Sequence, residues 1–77
     1  MSRFDILCHW DAEAGVYVAH SDAIPGLSTE AETVDRLMQR AAAVAPELIA
    51  LNKVAVDSEG AELHFIIERS VPANLAA

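Results

Sequence analysis

The side chains of this 77-residue chain that could do chemistry are few: Cys8, His9, His20 and His64 as soft ligands or as nucleophile and base, and Asp11, Glu13 and Asp22 as acid–base carboxylates. A metal centre needs ligands that converge, whereas neighbours on a strand such as Cys8 and His9 point to opposite faces. No paired ligand spacing exists, and isolated surface histidines account for the rest, so no metal is assigned. A cysteine or serine nucleophile would need a base and an oxyanion pocket, and neither a nucleophile-elbow pattern nor a Cys/His signature is present. Cys8 reads as a small core residue. The three carboxylates sit in or near turns, where bonds to backbone amides explain them, and nothing would bury a pair to shift its pKa. Gly15, Gly26 and Gly60 are isolated turn glycines and form no phosphate loop. No catalytic residue and no cofactor is expected.

The elements that must hold these residues follow from periodicity. From Arg3 to Trp10, Phe4, Ile6, Cys8 and Trp10 alternate with Arg3, Asp5, Leu7 and His9, the period-two pattern of a strand with one buried face. Asp11 to Gly15 is a polar hairpin loop, and Val16 to His20 is the second strand. A shift of one residue in the hairpin exchanges its faces, so either Val16, Val18 and His20 or Tyr17 and Ala19 join Ile6, Cys8 and Trp10 in the core. Tyr17 and Ala19 are placed inward, because burying His20 opposite Ile6 would require a polar partner that the sequence does not offer. Trp10, at a strand end beside an acidic loop, is assigned to core packing rather than to an interface anchor. Leu7, Val16 and Val18 then share a far face more apolar than a solvated one. That face is an oligomer surface unless the other register holds.

Ile24-Pro25-Gly26 is a tight turn, with Asp22 placed to bond nearby amides, and Leu27 to Glu30 is a short edge strand. A helix starts near Glu32 or Thr33, since the apolar period Val34, Leu37, Met38, Ala41, Val44, Ala45, Leu48, Ile49 begins only there. Pro46 removes one helical hydrogen bond and crowds the carbonyl of Ala42, which predicts a bent helix ending near Asn52 in a left-handed cap. Lys53 to Gly60 is a turn region. Glu62 to Arg69 is the last strand, with Leu63, Phe65 and Ile67 on one face and Glu62, His64, Ile66 and Glu68 on the other, and the tail from Ser70 is expected to fray. With a right-handed return, the last strand lies parallel beside the first. The fold class is α+β, β-β-β-α-β, one mixed sheet of order 3-2-1-4 covered on one face by a bent helix.

Composition bounds the function. So short a chain is one domain, here taken as 1–77, in the size range where self-association often adds burial. Apolar residues make up 53% of it, which excludes disorder. The formal charge of -7, from 12 acidic and 5 basic residues, removes the electrostatic term on which nucleic-acid affinity rests. Direct nucleic-acid binding is not expected, whereas a basic protein partner would suit the charge. A single cysteine fits a reducing cytoplasm, and no segment approaches the ~20 apolar residues of a membrane span. The chain is expected to be cytoplasmic and not exported.

The order of residues adds a resemblance. Trp10-Asp11-Ala12-Glu13-Ala14-Gly15-Val16-Tyr17-Val18-Ala19, then Ser21-Asp22-Ala23-Ile24-Pro25-Gly26-Leu27, then Thr29-Glu30-Ala31-Glu32-Thr33, resembles the HicB-like antitoxin fold. Within it the chain looks closest to a set of short single-domain proteins catalogued as a domain of unknown function. The likeness spans roughly residues 4 to 69. It implies a partial ribonuclease-H-like domain of the order derived above, without catalytic residues. HicB antitoxins bind and occlude HicA toxins, small basic ribonucleases, and commonly continue into a DNA-binding segment that this chain is expected to lack.

The expected function is a non-enzymatic protein-interaction module: an antitoxin of a HicA/HicB-type pair, or a solitary relative. The expected partners are a second copy of the chain, in a dimer or larger assembly, and a small basic toxin. The expected face comprises Leu7, His9, Val16, Val18, His20 and Ile66. The alternative is an oligomeric small-molecule-binding protein with a pocket between protomers, edged by Trp10, His9 or His20.

Overall fold

The computed structural model describes residues 1–75. Strands β1 (Ser2–Asp11), β2 (Val16–His20) and β3 (Ser28–Ala31) precede helix α1 (Val34–Leu51), and β4 (Ala61–Glu68) follows it. The sheet has four strands in the order β3-β2-β1-β4, with β1 antiparallel to β2, β2 antiparallel to β3, and β1 parallel to β4. The α+β class, the single helix and the strand order expected from sequence are those observed. The expected fraying of the tail concerns Ser70 to Leu75, which form no regular element and are exposed, and two further residues that lie outside those described.

The hairpin register pairs Cys8 with Ala19 and Trp10 with Tyr17, so Tyr17 and Ala19 face inward and His20 faces away from the helix. Asp11 shapes the loop: its Oδ1 accepts the N–H groups of Glu13 and Ala14, and its carbonyl accepts Gly15 N–H at 2.8 Å. Gly15, at φ 67°, supplies the left-handed turn that brings the chain back. Asp22 does not fill its expected role. Instead Ser21, buried, donates its hydroxyl to the Asp5 carbonyl at 2.8 Å and accepts Ala23 N–H, which fastens the end of β2 to β1.

Thr33 caps α1 from an extended conformation, its Oγ1 accepting Arg36 N–H at 3.2 Å, and Asp35 places negative charge in the first turn. The helix runs unbroken through Pro46. Its left-handed C-terminal residue is Lys53 (φ 52°), one position beyond the expected Asn52. Lys53 N–H reaches the Ala50 carbonyl and Val54 N–H the Ile49 carbonyl, the paired bonds of a Schellman motif. Asn52, at the C-cap with φ -94°, donates its side-chain amide to the carbonyls of Leu48 and Pro25 and ties the helix end to the Ile-Pro-Gly turn.

The core lies between the helix and one sheet face, around Phe4, Ile6, Cys8, Ala19, Ile24, Leu27, Ala31 and Leu37, with Ala45 above them. Helix α1 packs over β3 and β2, and the buried residues there include the small Ala41 and Ala45 on the helix and Ala19 and Ala31 on the sheet. The helix therefore does not blanket the whole sheet. Val44, expected in the buried stripe, is exposed, and so is Ile67 at 41%. Leu63 and Phe65 on β4 are only half-buried, and a groove of about 210 Å³ separates Ala45, Pro46 and Ile49 from Ala61 and Leu63.

Candidate interaction surface

On the sheet face turned away from α1, strand alternation gathers the residues singled out in the sequence. Directly paired residues share a face. One cross-strand row runs Ser28, His20, Leu7, Ile66, and the next runs Glu30, Val18, His9, Glu68. Val16, beside Asp11, completes the patch at the hairpin end. All six expected residues, Leu7, His9, Val16, Val18, His20 and Ile66, thus occupy one continuous surface.

The centre of that surface is apolar and open. Leu7 and Ile66 lie side by side at 39% and 41% exposure, with half-buried Val18 in the next row and half-buried Val16 one row beyond it. His9 and His20 stand edge to face with ring centroids 6.2 Å apart, making an aromatic ridge across β1 and β2. Glu30 and Glu68 close the row through Val18 and His9, while Arg3 and Asp5 pair at 3.2 Å further along β1. The result is an apolar strip with a mostly acidic rim.

At the hairpin end of the opposite face, past the reach of α1, a second constellation forms. Trp10 and Tyr17 pack edge to face with centroids 4.9 Å apart, and the Arg69 guanidinium lies 4.1 Å from the Trp10 centroid while donating to Tyr17 Oη at 2.6 Å. Trp10 is half-buried under this cation, not enclosed in the core. An open cleft of about 390 Å³ runs beside it, lined by His9, Trp10, Ala12, Glu68, Arg69 and Ser70. Sequence reading did not single out Arg69. Its role depends on the β1–β4 register, which sets Arg69 one step beyond the His9–Glu68 pair and hence beside Trp10.

The chemistry-bearing residues do not converge. Cys8 is buried on the helix face, where burial pushes its thiol above the ordinary value, while His9 and His20 lie on the other face. Among the described residues there is no group of three potential ligands that could hold a metal ion. No described helix is long and apolar enough to cross a membrane.

The chain has a close structural counterpart. The crystal structure of the hypothetical protein TTHA1013 from the extremely thermophilic bacterium Thermus thermophilus matches it with a TM-score of 0.73 and 37% sequence identity, covering 95% of this chain and 99% of that one. A comparison with curated proteins finds no match. Residues 3–76 match the family described as a domain of unknown function, DUF1902, and the chain belongs to that family.

Proposed function

We propose that this protein is a non-enzymatic, cytoplasmic protein-interaction domain that self-associates and, as a HicB-like antitoxin or a solitary relative of one, binds a small basic partner. The observation that carries the reading is the open strip of Leu7, Val16, Val18 and Ile66, with His9 and His20 across it, in a chain of formal charge -7. An apolar strip gives affinity by burial, and an acidic rim steers a basic protein towards it. Such a rim also repels nucleic acid, so the basic protein is the better-matched partner. The resemblance of the hairpin and the Pro-Gly turn to HicB antitoxins agrees with this charge logic.

The test is direct mixing. If the neighbouring gene encodes a small basic ribonuclease, the two purified proteins should co-elute, and its RNA cleavage should fall on titration with this chain. A mixture that never associates overturns the antitoxin reading. Light scattering tests self-association separately, and a monomer at micromolar concentration overturns it.

The cleft beside Trp10 and Arg69 favours a second reading, a small-molecule-binding protein. Its aromatic wall and fixed cation suit a planar anionic ligand. Thermal-shift screening with aromatic carboxylates should raise Tm if this reading holds, by mass action on the folded state, and a flat response counts against it.

A further inference from the structure

The two edges of the sheet are treated unequally. The β3 edge is four residues long, and the Arg40 guanidinium donates to the Glu30 carbonyl there, filling a backbone acceptor on the strand. The β4 edge is eight residues long, Ala-Glu-Leu-His-Phe-Ile-Ile-Glu, with no proline, glycine or lysine to blunt it and no other strand beyond it among the described residues. Every second residue of an edge strand turns its N–H and C=O outward, and a long apolar edge of this kind pairs with another chain unless something prevents it. Ile66 on one face and Ile67 on the other are each 41% exposed, so the strand is under-covered on both sides at the same point.

Resting on the reading that the chain self-associates, we propose that its partner is a second copy paired through β4, antiparallel, with Ile66 on the two-fold axis. The choice of register comes from charge. Antiparallel partners share a face, so alternative registers differ by two residues. With Phe65 on the axis, Glu62 would face the partner's Glu68, twice over. With Ile67 on the axis, Ile66 would face the partner's Glu68, an apolar side chain against a carboxylate, twice over. With Ile66 on the axis, His64 faces the partner's Glu68 on the outer side, and Phe65 faces the partner's Ile67 on the helix side. Both complementary pairs occur twice by symmetry. The same register leaves Pro72 opposite the partner's Gly60, where β4 begins, so both strand breakers lie at the ends of the ladder. The paired sheets have eight strands, and the open faces that carry Leu7 and Val18 join into one surface.

Variants with one added cysteine read the register. Leu7→Cys, Val18→Cys, His64→Cys, Phe65→Cys, Ile66→Cys and Ile67→Cys are oxidised separately, with the unmodified chain, whose one thiol is buried, as control. Ile66→Cys should give most of its chain as disulfide-linked dimer, several-fold more than any other variant. Charge reversal supplies an independent arm: Glu68→Lys should weaken the dimer about tenfold, and adding His64→Glu should restore it, because a Glu–Lys pair of opposite charge then faces across the axis, twice by symmetry. Preferential cross-linking at His64→Cys, Phe65→Cys or Ile67→Cys overturns the register. Cross-linking confined to Leu7→Cys or Val18→Cys overturns edge pairing but retains self-association through the open face. An unmodified chain that scatters light as a monomer at micromolar concentration overturns self-association itself.

Discussion

The Arg69 guanidinium stacks 4.1 Å from the centroid of Trp10 and holds Tyr17 Oη at 2.6 Å, so one side chain after β4 clamps the far ends of β1 and β2. A cation over an indole at an exposed site contributes on the order of 0.5–1 kcal/mol. Arg69→Ala should therefore lower unfolding stability by about 1 kcal/mol in urea titrations. Trp10 is the sole tryptophan, so its emission should move to longer wavelength in the variant at zero denaturant, before any unfolding. Arg69→Lys should retain part of the stability, but it loses the planar stacking of a guanidinium. Unchanged emission in Arg69→Ala would show that the stacking does not persist in solution.

Ser21 and Asp22 exchange the roles that their types suggest. The buried Ser21 hydroxyl bridges the Asp5 carbonyl and Ala23 N–H, whereas Asp22 is exposed. Ser21→Ala leaves two part-buried backbone groups without that partner and should cost about 1 kcal/mol, while Asp22→Ala should stay within about 0.5 kcal/mol of the parent. Denaturant midpoints measured side by side decide between them. Equal effects would mean that the hydroxyl bridge adds nothing beyond solvent.

Two glycines separate backbone strain from packing. Gly15 has φ 67°, and a Cβ added there would meet nothing within 4 Å. Gly26 has φ 84°, and its added Cβ would lie 3.3 Å from Leu48 Cδ2. Gly15→Ala should cost only the left-handed penalty of about 1–2 kcal/mol, and Gly15→Asn less, since asparagine tolerates that region. Gly26→Ala carries the same penalty and also pushes Leu48 off the turn that Asn52 ties down, so its unfolding midpoint should fall further than that of Gly15→Ala.

The elements were legible where a single residue made one alternative expensive. His20 fixed the hairpin register, because the other register would bury an imidazole opposite Ile6 without a partner. The apolar period beginning at Val34 brought the expected helix start to Glu32 or Thr33, and Thr33 is the cap. The six face residues follow from strand alternation once that register is chosen. What stayed illegible depends on how elements sit against one another. Periodicity places Val44 and Ile67 on inward faces, but it does not say how far the helix reaches across the sheet, and α1 packs over β3 and β2 and leaves both exposed. Arg69 gains its role from the β1–β4 register, a contact between residues about 60 positions apart that no local pattern encodes. Lys53 takes the left-handed position because the helix ends in a Schellman motif, which puts that conformation one residue after the C-cap Asn52, and residue type alone does not reveal which position that is.

Cys8 offers a check on the core. Its Sγ lies 3.7 Å from the Ile6 carbonyl, it is buried beneath α1, and burial raises its pKa by penalising the thiolate. The thiolate is the reactive form, so at pH 8 the folded chain should react with iodoacetamide far more slowly than the chain in urea. The sign of the pH effect follows from proton counting. A raised pKa means that the folded state holds the proton longer than the unfolded state, whose thiol ionises near pH ~8.5. The contribution to stability is then complete below that pH and is lost as pH rises through the folded value. Cys8→Ala should be less stable than the parent at pH 7, because it removes buried sulfur, and the gap should narrow by about pH 9.5, where only the parent pays for keeping its thiol neutral. Urea titrations of both chains at the two pH values measure that gap. A gap that stays constant would mean that Cys8 ionises as easily in the folded chain as in the unfolded one, contrary to a closed core at this strand.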